Sequence, residues 1–175
     1  MALNEVYITN TAAFFPNDPV SNDEMEDYLG YINDAPSRSK AIVLRNNGIK
    51  NRFYALTKEG KPTHTNAQMT AEAVRALFKD NPDGIKNIEL LSTGTSTPDQ
   101  LMPSHGVMVH GHLPETKPFE VVSPSGVCCA GMHAFKYAYL ATKAGEVQDS
   151  VATGSERFSI SLLAGNFEDE AKRLK

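Results

Sequence analysis

Two adjacent cysteines, Cys128 and Cys129, stand in the segment Ser123-Pro124-Ser125-Gly126-Val127-Cys128-Cys129-Ala130-Gly131. Small residues surround them: Gly126 before, Ala130 and Gly131 after. Such neighbours allow a sharp turn and let a substrate approach the backbone closely. A cysteine in the first turn of a helix lies at the positive end of the helix dipole, where an anionic, nucleophilic sulfur is favoured. The free N–H groups of that turn, including the cysteine's own, suit the oxyanion that forms when a thioester carbonyl is attacked. The segment therefore fits acyl transfer onto a cysteine. The competing reading is that both cysteines are small buried hydrophobes. Spacing alone does not say which of the two reacts.

Other residue types are weighed beside this pair. His110-x-His112 has the composition of a metal pair, but residues two apart on a helix do not face together. No His-Glu-x-x-His pattern or Cys/His quartet accompanies it, so no metal is expected. His133 follows Cys129 by one helical turn and is read as structural rather than as a base. Glu156, after a strand, is read as a polar strand terminus, with orientation of active-site groups as the alternative. Residues 36–61 hold Arg38, Lys40, Arg45, Lys50, Arg52, Lys58 and Lys61 against Glu59, a local charge of +6 that leaves −10 for the remainder. Such a patch suits an acidic protein or a phosphorylated ligand, or is a solvated face.

These residues must be placed by elements that the pattern outlines. Val6 to Phe15 is rich in β-branched and aromatic residues, which predicts a strand closed by Pro16 and Pro19. Asp23 to Leu29 and Ser37 to Asn46 read as short helices ended by Gly30 and Gly48. Ile49 to Leu56 reads as extended. From Thr65 to Asp80, residues Ala67, Thr70, Ala71, Val74, Leu77 and Phe78 recur at three- and four-residue steps and form one buried helical stripe. Ile88 to Thr93 and Phe119 to Val122 predict buried strands, and Ser150 to Thr153 a last short strand. Pro103 to Leu113 and Ala130 to Ala144 predict helices, the second stopped by Gly145. The charged tail, Phe167 to Lys175, is at best amphipathic. Alternation of this kind gives an α/β fold with a mostly parallel sheet under helices. In such sheets chemistry gathers where strands end and helices begin. Two junctions fit: Ser92-Thr93-Gly94-Thr95-Ser96-Thr97 and the cysteine segment.

The 175 residues amount to about one domain, with 41% hydrophobic and 22% charged residues. Net charge is −4, which gives no global basic character, so no nucleic-acid partner is expected. No apolar run reaches the roughly 18 residues of a membrane helix, so no membrane partner is expected. Residues 1–5 lack the cationic start and apolar core of a leader. Two neighbouring cysteines cannot staple a secreted fold, which makes a reduced, cytoplasmic protein the expectation.

The segment Cys128-Cys129-Ala130-Gly131-Met132 resembles the active-site segment of the β-ketoacyl-[acyl carrier protein] synthase III family of the thiolase-like superfamily. Further segments agree in order. Asn22-Asp23-Glu24 is similar to the start of that family's first helix. Arg45-Asn46-Asn47-Gly48-Ile49-Lys50-Asn51-Arg52 resembles its substrate-entrance segment. Leu90 through Asp99 resembles its hydroxyl-rich loop, and Ala144-Gly145-Glu146-Val147 through Gly154-Ser155-Glu156 the strand after its nucleophile helix. The resemblance runs over roughly residues 5 to 160.

What this resemblance implies is specific. The nucleophile is Cys129, with Cys128 in the place of an alanine. Arg45 is a binding residue at the entrance. Met102 stands where the family often has a phenylalanine that reaches the neighbouring subunit's acyl pocket. The fold is the N-terminal half of a thiolase-like synthase, residues 1–175, with the second half and its histidine and asparagine absent from this chain. The reaction is carbon–carbon bond formation by decarboxylative Claisen condensation, through acyl-Cys129, with a malonyl-acyl carrier protein in fatty-acid or polyketide biosynthesis. The partners are acyl carrier protein or coenzyme A thioesters, the C-terminal half of the same fold and a second copy in a homodimer, with no bound cofactor. The alternatives are an acyl-transfer or ketoacyl-condensing relative, or a non-catalytic partner subunit of a synthase. The sequence departs from the family at Ala41, where a tryptophan stacks on the coenzyme A adenine, and near Ile160, where an arginine flanks it. These departures favour the carrier protein as acyl donor.

Overall fold

The computed structural model describes residues 3–173. In chain order its elements are β1 (Val20–Ser21), α1 (Met25–Leu29), α2 (Lys40–Asn47), β2 (Asn51–Arg52), α3 (Asn66–Leu77), β3 (Leu90–Gly94), α4 (His105–Gly111), β4 (Glu120–Val122), α5 (Ala130–Ala144), β5 (Ser150–Gly154) and α6 (Glu168–Arg173). The chain forms two compact units. One comprises residues up to Phe14 with Asn66–Glu156, the other Phe15–Thr65 with the segment from Arg157.

The first unit is a parallel sheet under helices, as the alternating pattern predicts. β3 lies between β4 and β5 and is parallel to both. Leu91 pairs with Val121 on one side and with Val151 on the other. All five residues of β3 are buried, the condition of a central parallel strand with helices on both faces. Successive side chains alternate between those faces. Leu91 and Val151 pack with Ala67, Ala71 and Val74 of α3 and with Val109 of α4. Leu90 packs with Ala138 and Ala141 of α5 and with Val147. Each such leucine contributes about 1.5–3 kcal/mol by leaving water.

α3 carries the expected stripe: Ala67, Thr70, Ala71 and Val74 are buried, and Leu77 and Phe78 pack against the same cluster. Asp99 caps this helix from a distant loop, accepting the N–H groups of Asn66 and Ala67 at 2.9 Å each. α5 ends at Gly145, whose φ of +81° suits glycine.

The expected strand over Val6 to Phe15 is corrected. Among the described residues that segment joins no ladder; Asn4 donates its N–H to the Lys143 carbonyl at 2.9 Å, and Tyr7 and Ile8 stay exposed. β-propensity expresses fit to a pleated neighbour, and no neighbouring strand takes this segment.

The second unit contains the short antiparallel pair β1–β2, with Val20 opposite Arg52. Val20, Tyr54 and Leu56 form its core, with Tyr28, Leu29, Ile160 and Leu163 against them. The charged tail is helical as α6; residues 174 and 175 lie outside the described residues. No helix among the described residues is long and apolar enough to cross a membrane.

Candidate active site

Cys129 is the cap residue of α5, immediately before Ala130. A short 3₁₀ turn, Val127–Cys129, leads into the helix from the end of the β4 segment. Both cysteines are free thiols exposed to solvent, which overturns the reading of them as buried hydrophobes. A sulfur at this place stands at the positive end of a 15-residue helix. The Cys129 N–H, expected to hold an oxyanion, instead donates to the Gly126 carbonyl at 3.0 Å. The backbone turn is thus closed on itself in this structure.

Glycines let the helix start press onto the ends of the strands. A Cβ at Gly94, the last residue of β3, would lie 2.1 Å from the Ala130 carbonyl oxygen. A Cβ at Gly131 would lie 3.2 Å from Cα of Gly154, the last residue of β5. Gly126 gives way to a side chain: a Cβ there would meet His133 Nδ1 at 2.6 Å. His133 Nδ1 lies 3.2 Å from the Ser125 carbonyl and donates to it, which fixes the ring as part of the turn.

The hydroxyl-rich loop after β3 sits on a polar network that the sequence did not single out. Asn66 is fully buried and donates Nδ2 to Thr95 Oγ1 at 2.8 Å and to the Thr97 carbonyl at 2.9 Å. Thr70 donates its hydroxyl to Ser155 Oγ at 2.7 Å, and His105 Nε2 lies 3.2 Å from both hydroxyls. Burial pushes the His105 ring below its ordinary pKa of 6.5, while the charges of Asp99 and Glu156 pull it up. Desolvation leads, so the ring is neutral. A polar residue inside the apolar stripe of α3, as Asn66 and Thr70 are, was the available signal for this network.

Met102 is 86% exposed, beside Leu101 at 87%. The His110 ring lies tilted against Phe119, with 4.4 Å between ring centres. Among the described residues no three His, Cys, Asp or Glu side chains converge as a metal site. Arg45 belongs to the second unit, in the last turn of α2. It lines a recess of about 670 Å³ with Asn22, Glu26, Lys40, Leu44 and Lys50. Lys40 Nζ lies 2.8 Å from Glu26, and its hydrogen bond, with the Ser37 N–H, holds the Glu26 carboxyl below the usual carboxylate range. Among the described residues Arg45 and Lys50 make no ion pair.

No protein-family model matches the chain. Curated proteins do. Beta-ketoacyl-[acyl-carrier-protein] synthase III of Neisseria gonorrhoeae is 28% identical over 152 residues, which is 87% of this chain and 44% of that protein. The chain thus spans less than half the length of the curated relatives it matches. Among solved structures, beta-ketoacyl-[acyl carrier protein] synthase III from Thermus thermophilus superposes with a TM-score of 0.69 at 23% identity, over 88% of this chain and 44% of that one. OleA from Xanthomonas campestris superposes at 0.64 with 20% identity, over 84% and 43%. The fold is therefore thiolase-like.

Proposed function

We propose, for a chain that has the thiolase-like fold and resembles the N-terminal half of β-ketoacyl-[acyl carrier protein] synthase III, that it supplies the nucleophile of a carbon–carbon bond-forming acyltransferase. The observation that carries this reading is the exposed thiol of Cys129 at the start of α5. In the first stage the Cys129 thiolate attacks the carbonyl carbon of an acyl thioester; its carbon–sulfur bond forms as the donor's carbon–sulfur bond breaks, and the donor leaves as a thiolate that takes a proton from solvent. In the second stage a malonyl unit loses carbon dioxide and its carbanion attacks acyl-Cys129. A carbon–carbon bond forms and the Cys129 thiolate is released.

The second stage calls for groups beyond this chain. A second half of the same fold, carrying the histidine and asparagine that the resemblance implies, would pack on α5. Its outer side chains support this: Met132, Phe135 and Leu140 are 66%, 43% and 50% exposed, while Ala134, Ala138 and Ala141 face the sheet. An exposed apolar row of this kind marks an interaction surface. The exposed Met102 suits the role of reaching a partner subunit's acyl pocket in a homodimer. Arg45, in its charged recess, would hold the phosphorylated arm of an acyl carrier protein or of coenzyme A.

The test is mass spectrometry of the full-length protein after incubation with acyl thioesters. One acyl group should appear on the wild type and on Cys128→Ala, and none on Cys129→Ala. An adduct that persists in Cys129→Ala and vanishes in Cys128→Ala overturns the assignment.

A further inference from the structure

Glu156 follows β5 and turns its carboxylate onto the loop after β3. Oε1 accepts the Ser96 N–H at 2.7 Å, and Oε2 accepts the Thr97 hydroxyl at 2.6 Å and the Thr95 hydroxyl at 3.5 Å. Three consecutive residues are thus tied to one carboxylate. The loop in turn reaches the cysteine segment: the Ser96 hydroxyl donates to the Val127 carbonyl. Val127 also accepts the Ala130 N–H, the bond that closes the turn over the two cysteines.

Val127 is the residue of this turn that most needs holding. Its φ is +49°, the left-handed region, which a β-branched side chain disfavours. Such a conformation persists only where surrounding contacts impose it. Ser96 supplies one of those contacts from outside the turn, and Glu156 fixes Ser96. His133 braces the other side of the turn through Ser125, and does so independently of Glu156.

We infer that Glu156 is a positioning residue for the Cys129 sulfur, acting through Ser96 and the Val127 carbonyl. This rests on the reading of Cys129 as the nucleophile. With the clamp in place the turn keeps one shape and the sulfur stays against the start of α5. Without it Val127 relaxes out of the left-handed region and the sulfur moves off the helix axis. Small misplacements of a reacting atom cost large factors in rate.

The experiment measures iodoacetamide alkylation of Cys129 against pH in the full chain, in a Cys128→Ala background. Ser96→Ala, Glu156→Ala, Glu156→Gln and the Ser96→Ala/Glu156→Ala double variant are compared. Ser96→Ala and Glu156→Ala should each slow alkylation of Cys129 roughly ten-fold. Glu156→Gln, which keeps one acceptor oxygen, should fall between. The double variant should be no slower than the slower single, because Glu156 acts through Ser96. Multiplying effects in the double variant, or unchanged alkylation in the folded single variants, overturns the inference. Thermal melts establish folding, and Glu156→Gln carries the test if Glu156→Ala does not fold. Acyl transfer is measured in parallel. A Cys129 whose alkylation responds to Ser96 and Glu156 but which takes no acyl group retains the clamp and removes the nucleophile reading. A Cys129 that is acylated at unchanged rate in every variant does the reverse.

Discussion

The two units of this chain secure their parts by different means. In the sheet unit, β3 is buried along its whole length between α3 and α4 on one face and α5 on the other. Helix and strand ends meet at backbone distance, and glycines stand at the contacts. In the other unit α1 and α2 bury no residue, and β1 and β2 pair over only two residues each. Its parts are tied by polar links, such as Asn17 Nδ2 to the Tyr54 carbonyl at 2.7 Å and Lys40 to Glu26. Burial on both faces leaves a segment few alternatives, whereas a polar surface link leaves many. The start of α5 is anchored in the first manner, through the buried Ala130, whereas the exposed turn that carries Cys129 and the recess that carries Arg45 are both held by polar links.

Glycine substitutions separate the two modes most widely. Gly94→Ala drives a Cβ into the Ala130 carbonyl and should cost at least about 3 kcal/mol in urea unfolding. Gly48→Ala, in open space but at φ +69°, should cost about 1 kcal/mol, the backbone penalty alone. Equal costs at the two sites would remove the contrast.

A pH series sharpens it next. His105 is 3% exposed and its pKa is lowered on folding, so the unfolded chain binds the proton first as pH falls. Its contribution to stability is complete above 6.5 and is lost as pH drops toward the depressed folded value. The urea midpoint should therefore decline as pH falls below 6.5, and the decline should flatten in His105→Gln. The carboxyls lowered by their partners, Glu26 and Glu115, act at more acidic pH and leave this window to the histidine. A midpoint that is level over the window in the wild type contradicts a neutral buried ring.

The smallest effect belongs to the second unit. Lys40 and Glu26 are 21% and 17% exposed in their side chains, and Lys40→Met should cost no more than about 1 kcal/mol. The loss should shrink in 1 M salt. A loss as large as that of Gly94→Ala would place the charged recess among the tightly determined parts of the molecule.

Particular elements show what was readable along the chain. The helix Ala130–Ala144 is legible at both ends, because its small residues, its apolar repeat and Gly145 are local. The stripe of α3 and the three parallel strands are legible for the same reason. The composition of the cysteine segment raises acyl transfer as a candidate chemistry, and the ordered motifs around it point to the synthase III family. The polar residues of the α3 stripe hint at a network, but the partners that Asn66 and Thr70 find in His105 and Ser155 are not legible, since they lie up to 89 residues away and meet only in the folded chain. Asp99 as the cap of α3, and Glu156 as the clamp on Ser96, are of the same kind.

Local periodicity and turn chemistry thus told where helices and strands run, and residue types singled out the segment that is the candidate for a nucleophile. Tertiary structure decided the exposure of both thiols, the engagement of the Cys129 amide by Gly126 and the failure of Val6 to Phe15 to join the sheet. The reason is physical. A hydrophobic period is a property of consecutive residues, but burial, ladder pairing and the partner of a polar group depend on segments far away in the chain.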